Sequence, residues 1–208
     1  MVNDYKDFIN NLAKRNISGV FCGDISSAVG HILNIITPQE TIGISGSVSL
    51  DEIGIVDKLE ARGNKVFNQY RKGLSREDSL VLRMSGSRAD CYLASANAVS
   101  LNGELVFLSA YGERIAGISS AKKLIVVCGI NKLTADLGAA LKRAREYATP
   151  LNCRRLNWNS VCLSSGICRQ DICFKPEYKR MCCQTLVIEG EISPGRLKFI
   201  LVGEKLGF

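Results

Sequence analysis

Apolar positions along the first 150 residues keep two alternating rhythms, one of period 3.6 and one of short unbroken runs. Tyr5, Phe8, Ile9, Leu12 and Ala13 form one face of an opening helix, and Ile17 to Cys22 reads as a short buried strand. Asp24 is a good N-cap for a second helix with Ile25, Ala28, Val29, Ile32, Leu33 and Ile36 inward, ended by Pro38. Thr41 to Ser45 predicts a strand, Ile53, Val56 and Leu59 a helix stopped by Gly63, and Lys65 to Asn68 a third strand. A helix is expected from Ser75 to Met84, strands at Cys91 to Ala94 and Glu104 to Phe107, and a helix from Arg114 to Ser120. Leu124-Ile-Val-Val-Cys128 has no alternation, as expected for a central parallel strand covered on both faces. A helix from Thr134 to Tyr147 turns Leu137, Leu141, Ala144 and Ala148 inward.

The rhythm breaks at Pro150. Residues 151–183 show no period and hold six of the nine cysteines. Thr185 to Glu189 and Leu197 to Val202 then flank a turn containing Pro194 and Gly195, which predicts an antiparallel strand pair. The fold class is therefore α/β, three-layered around a mostly parallel sheet. One domain is expected over residues 1–208: a core (1–150), a cysteine-rich excursion (151–183) and a returning strand pair (184–208).

Composition narrows the function. With 46% apolar and 23% charged residues the chain can bury a sizeable core. No window approaches 18 uninterrupted apolar residues, and the charged start differs from a secretion signal, so a cytoplasmic protein is expected. The net charge of +7 suits an anionic metabolite or acidic partner. Without basic runs interleaved with aromatics, which make up only 7%, nucleic acid is not an expected ligand.

Three segments can carry chemistry. The first is Gly46-Ser47-Val48-Ser49, a Gly/Ser turn between a strand and a helix. Gly46 allows close backbone approach, Ser47 and Ser49 offer polar groups to a phosphate or carboxylate, and Ser49 and Glu52 have the spacing of a capping box. A purely structural turn is the competing reading. The second is Ala96-Asn97 through Glu104, where Asn102-Gly103 predicts a hairpin and Asn97, Ser100 and Glu104 line a sheet end. Asn131 and Lys132 follow the buried run at 124–128, at the strand edge where open α/β sheets bind ligands, with Arg143 or Arg145 nearby in sequence.

The third is the cysteine set Cys153, Cys162, Cys168, Cys173, Cys182 and Cys183. It contains no C-x2-C, so it matches neither a zinc ribbon nor a ferredoxin motif. Cys162, Cys168, Cys173 and Cys182 are candidate ligands for zinc or an iron–sulfur cluster; redox-sensitive thiols and structural cysteines are the alternatives. Cys22, Cys91 and Cys128 read as core residues. The single histidine, His31, shares a helix face with Asp24, Ser27 and Asn34, away from the apolar stripe, and does not point to a catalytic triad.

Together, Gly46 to Ser49, Ala96 to Val106, Gly112 to Ala116, Gly129 to Lys132, Pro150 to Asn152 and Leu201 to Phe208 resemble the LUD-domain family, named for lactate utilisation. The resemblance implies a fold similar to the sugar-phosphate isomerase and CoA-transferase-like group. It also implies a place in lactate-to-pyruvate oxidation beside iron–sulfur partner proteins. By the same resemblance Gly46, Ser47 and Ser49 hold an anion, and Asn102, Gly103 and Glu104 form the working turn. Glu104 is then the candidate acid/base, with Asn97, Arg114, Asn131 and Lys132 around a small anionic metabolite. A non-catalytic subunit docking iron–sulfur proteins, and an isomerase or acyl-transferase-type enzyme on the same scaffold, are the alternatives. A homo-oligomer is compatible with all three.

Overall fold

Helix α1 (Lys6–Lys14) buries Phe8 and Leu12 and leads into β1 (Ser18–Cys22). The structure, a computed structural model, describes residues 5–174 and 176–208. Asp24 caps α2 (Ile25–Ile35) reciprocally with Ser27, the capping box that its position predicts. Then come β2 (Ile42–Ile44), α3 (Val48–Glu52), α4 (Ile55–Ala61), β3 (Val66–Phe67) and α5 (Arg76–Gly86), the last capped by Ser75. The chain continues through β4 (Cys91–Ala94), β5 (Ala98–Ser100), β6 (Leu105–Ser109), α6 (Glu113–Ser120) and β7 (Lys123–Gly129). A 3-10 turn (Ile130–Lys132) precedes β8 (Leu133–Thr134) and α7 (Leu137–Arg143). Beyond a π-helical turn (Ala144–Ala148) lie α8 (Thr149–Arg155), α9 (Val161–Ser165), β9 (Gln184–Ile188) and β10 (Leu197–Val202).

Six strands form a wholly parallel sheet in the order β1-β10-β7-β4-β2-β3. Its central strand β7 sends Ile125 and Val127 into a core shared with Ile32 of α2, Leu50 of α3 and Leu59 of α4. Leu124, Val126 and Cys128 point the other way, against Phe8 and Leu12 of α1 and Ile118 of α6. Both faces are thus covered, which is why the 124–128 run is apolar at every position.

The opposite layer is not purely helical. A second, mixed sheet in the order β8-β5-β6-β9 packs Val99, Leu105, Phe107 and Ile188 against the parallel sheet. Its outer side, with Ala98, Val106 and Leu108, is covered by Ala140 of α7 and Ala144. The hairpin predicted at Asn102-Gly103 is the β5–β6 pair of this sheet, with Gly103 at φ +99°.

Two expectations need correction. The strands at 184–188 and 197–202 do not pair: β9 runs antiparallel to β6 at a sheet edge, while β10 inserts between β1 and β7 in parallel. Burial decides it. In β10, Leu197, Phe199 and Leu201 enter one core and Ile200 and Val202 the other, so it needs cover on both faces, whereas Gln184 and Thr185 of β9 are exposed. Nor does helical structure stop at Tyr147. The π-helical turn brings Thr149 N–H and its hydroxyl (2.8 Å) onto the Ala144 carbonyl, and Pro150 falls in the first turn of α8, where its missing N–H costs nothing.

Candidate functional site

Three adjacent strands of the parallel sheet, β7, β4 and β2, end on the same edge, and the segments that follow them meet there. After β2, Ser45 N–H donates to Leu93 O (2.9 Å), and Gly46 and Ser47 turn into α3. Ser47, not Ser49, caps α3 by accepting from Leu50 N–H (3.3 Å), so the expected Ser49–Glu52 capping box is absent. Glu52 instead accepts from Gly207 N–H (2.7 Å). Ser49 lies buried inside the helix, its hydroxyl donating to Leu206 O (3.2 Å).

After β7, the 3-10 turn folds Lys132 back under this edge. Its ammonium, in a residue only 4% exposed, donates to Ser49 Oγ (2.9 Å), Ser95 Oγ (2.9 Å) and Ala96 O (3.1 Å). Burial lowers its pKa to about 8. Arg114 enters from the first turn of α6, behind Gly112, whose φ of +93° suits glycine. Its guanidinium donates to Asn97 Oδ1 (3.1 Å), Leu108 O (3.2 Å) and Ser95 O, and burial depresses its pKa as well. Arg143, from the end of α7, donates to Asn97 O (2.6 Å).

Three cations thus converge on Ser95-Ala96-Asn97, and none forms an ion pair among the described residues. Backbone carbonyls and hydroxyls solvate them but do not neutralise them. Such a cluster favours a bound anion.

The space in front of it divides at Gly46. A shallow depression of about 50 Å³ reaches Ser47, Ser49, Asn97, Arg114 and Lys132. A larger cleft of about 210 Å³ shares Gly46, Asn97 and Arg114 with it and runs outward past Tyr92 and Trp158. A third hollow carries Asp51 and Asp57 beside Arg155.

The structure therefore brings together Gly46, Ser47, Ser49, Asn97, Arg114 and Lys132 of the residues singled out from the sequence. Asn131 is beside them but acts as a tether, accepting from Leu206 N–H (2.9 Å) and donating to Gly207 O (3.1 Å). Glu104, Asn102 and Gly103 are not in the group. Asn97 bonds Val106 and Leu108 at one end of the hairpin, whereas Glu104 and Ser100 bond each other at the far end, about 10 Å along the strand at ~3.3 Å per residue. There Glu104 receives hydrogen bonds from Arg15 and from the Ser100 hydroxyl, and Arg15 also donates to Asn102 O (2.6 Å) and Glu189 O (2.5 Å). Replacing Glu104 with Ala is expected to cost about 2 kcal/mol of stability, since it strands a half-buried guanidinium, and to leave anion affinity unchanged. Thermal unfolding and calorimetric titration of the same variant read the two effects.

Ser95 and the aromatic residues of the cleft were not singled out from the sequence. Ser95 carries one usable signal, its place directly after a buried strand on the ligand-binding edge; Tyr70, Tyr92, Tyr111 and Trp158 carry none.

The cysteines divide as expected between core and excursion. Cys22, Cys91 and Cys128 are buried in the sheet, and burial pushes the Cys91 thiol up to about 12. Cys162, Cys168, Cys173 and Cys182 line one small cavity of about 10 Å³ together with Arg145 and Arg180. Among the described residues no three Cys, His, Asp or Glu side chains are placed to hold a metal ion. No metal chemistry is assigned to these thiols. His31 is half-buried on α2.

A parallel sheet with a cationic cleft at its carboxyl edge places the chain among the α/β proteins. The LUD-domain family model matches residues 5–202, and the chain belongs to that family. Among solved structures, a DUF162 family protein from Deinococcus radiodurans is similar at 12% identity and a TM-score of 0.52, over 97% of this chain and 96% of that one. The delta subunit of eIF2B from Chaetomium thermophilum is 18% identical with a TM-score of 0.37, over 66% of this chain and 57% of that one. No curated protein matches the sequence. Among the described residues no helix is long and apolar enough to cross a membrane.

Proposed function

We propose that the protein binds a small carboxylate-bearing metabolite of lactate-to-pyruvate metabolism in the depression at Gly46, Ser47, Asn97, Arg114 and Lys132. One observation carries this reading: Lys132, Arg114 and Arg143 meet at Ser95–Asn97 without an acidic partner among the described residues. A carboxylate there would take charge-assisted hydrogen bonds of ~1.5–3 kcal/mol each. Membership of a family associated with lactate utilisation supports the choice of acid. Calorimetric titration with lactate, pyruvate, inorganic phosphate and a sugar phosphate tests it. Lactate or pyruvate binding best agrees with the reading; a sugar phosphate alone binding favours an isomerase-type role; no binding at all refutes it.

The same site sets a pH dependence. The Lys132 pKa, about 8 in the free protein, rises when an anion is bound, so binding takes up protons above pH 8. Affinity is expected to be flat below pH 7 and to fall about tenfold between pH 7.5 and 9.5. Titrations in two buffers of different ionisation enthalpy check both the slope and the proton uptake.

Docking of iron–sulfur partner proteins is a second reading. Exposed Ile167, Ile172 and Phe174 beside Arg169 on the cysteine-rich excursion favour it. Such a surface retains its partner in a Lys132 variant, which pull-down from the native host reads.

A further inference from the structure

The cleft beyond the anion site is larger than a three-carbon acid needs, and aromatic rings stand in its wall beside polar groups such as Gln69 and the Arg83–Glu113 ion pair. The chain holds six tyrosines and a single tryptophan; Tyr70, Tyr92, Tyr111 and Trp158 line this one cleft. Their placement is built into the backbone. A Cβ on Gly117 would lie 2.4 Å from the Tyr92 ring, and one on Gly46 would lie 2.4 Å from the Tyr70 hydroxyl. Glycine at both positions therefore leaves room for the two side chains. Tyr111 and Trp158 meet edge to face across 6.0 Å, and Trp158 is anchored by its indole N–H to Lys179 O (2.6 Å). Tyr70 and Tyr111 remain 54% and 66% exposed, which leaves apolar ring surface facing the opening. Arg114 and Asn97 border both this cleft and the anion depression, so a ligand held by its carboxylate at Arg114 projects the rest of itself along the rings.

We infer that the site takes a 2-hydroxy or 2-oxo acid bearing a planar aromatic side chain, the carboxylate at Arg114 and Lys132 and the ring among Tyr70, Tyr92 and Trp158. Aromatic walls favour a flat partner by offset or edge-to-face contact, and a cleft open at one end tolerates its length. This rests on the anion reading given above and adds the chemical class of the side chain.

Calorimetry with the intact protein compares lactate, 3-phenyllactate and 3-cyclohexyllactate, while the emission of Trp158, the single tryptophan, reports where the ring lies. The expected result is that phenyllactate binds at least tenfold tighter than lactate and threefold tighter than the cyclohexyl acid, and that it alone changes Trp158 emission strongly. Tyr70→Ala, at an exposed side chain, should weaken phenyllactate at least fivefold more than it weakens lactate. Lactate binding as tightly as phenyllactate overturns the inference and leaves the anion site standing. Equal binding of the phenyl and cyclohexyl acids overturns the aromatic assignment. If none of the three acids binds, both the anion reading and this extension of it fall.

Discussion

Replacing Lys132 with Met should abolish most carboxylate binding while leaving the protein as stable as before, or more so. In the free protein a buried ammonium is held by two hydroxyls and one carbonyl, with no counter-ion among the described residues. Its pKa of about 8 lies below the ordinary lysine value, so the charged form is disfavoured by the fold. Below pH 8 both folded and unfolded chains carry the proton; between pH 8 and ~10.4 only the unfolded chain keeps it. Folded stability should therefore rise with pH across that window, by up to ~3 kcal/mol, and the Met variant should lack the rise. The loss of one charge-assisted contact costs the ligand ~2–3 kcal/mol, an affinity weaker by about 30- to 150-fold. Ser95 can still donate to Ser49 (3.3 Å), and Ser49 to Leu206 O, so the hydroxyls are not left stranded. Denaturant unfolding at pH 7 and pH 9.5, beside calorimetric titration, separates this from a merely structural lysine. A structural lysine would lose stability at both pH values.

The second large effect concerns the scaffold behind the cleft. Gly43 sits in β2 between β3 and β4, and a Cβ there would lie 2.0 Å from the Gly86 carbonyl oxygen of α5 and 2.6 Å from the Tyr92 ring. A carbonyl in a helix backbone cannot swing aside as a long side chain can, so α5 must move away from the sheet. Gly43→Ala is expected to cost at least ~3 kcal/mol, at the upper end of overpacking penalties. It should also tilt Tyr92 and thereby narrow the aromatic cleft. Gly30→Ala, on α2 with nothing within 4 Å of the added methyl, is the control and should be neutral or slightly stabilising. Urea unfolding of the two variants measures the contrast; equal stability would contradict the packing described for β2 and α5.

How far the sequence reveals these features depends on the range of the interactions that create them. Local signals translated directly. Asp24 caps α2, Ser75 caps α5, Asn102-Gly103 turns the hairpin, and the unbroken run at 124–128 is the central strand. Each is settled within a few residues by capping, positive φ or two-sided burial. Partner choice between strands was not legible. The turn at Pro194-Gly195 favours a hairpin locally, yet Phe199 and Ile200 need opposite cores, and only the slot between β1 and β7 supplies both.

The site shows the same division. Gly46, Ser47, Asn97, Arg114 and Lys132 all lie just past strand ends or at a helix start, where polar residues in an α/β chain converge by topology. Glu104 looked equivalent in sequence but belongs to the opposite end of its hairpin, where Arg15, 89 positions earlier, meets it. The aromatic cleft joins Tyr70, Tyr92, Tyr111 and Trp158, from four separate segments. No spacing rule connects them.

Binding of an acid at the carboxyl edge of β2, β4 and β7 should be visible residue by residue. Titration of the isotope-labelled protein with pyruvate, followed by heteronuclear NMR, tests it most directly. Saturable shifts are expected, confined to residues 45–49, 95–97, 112–114 and 130–132, with the Lys132 ammonium moving furthest. Shifts centred instead on the cysteine-rich excursion or on the Arg15–Glu104 pair, or an unchanged spectrum, would contradict it.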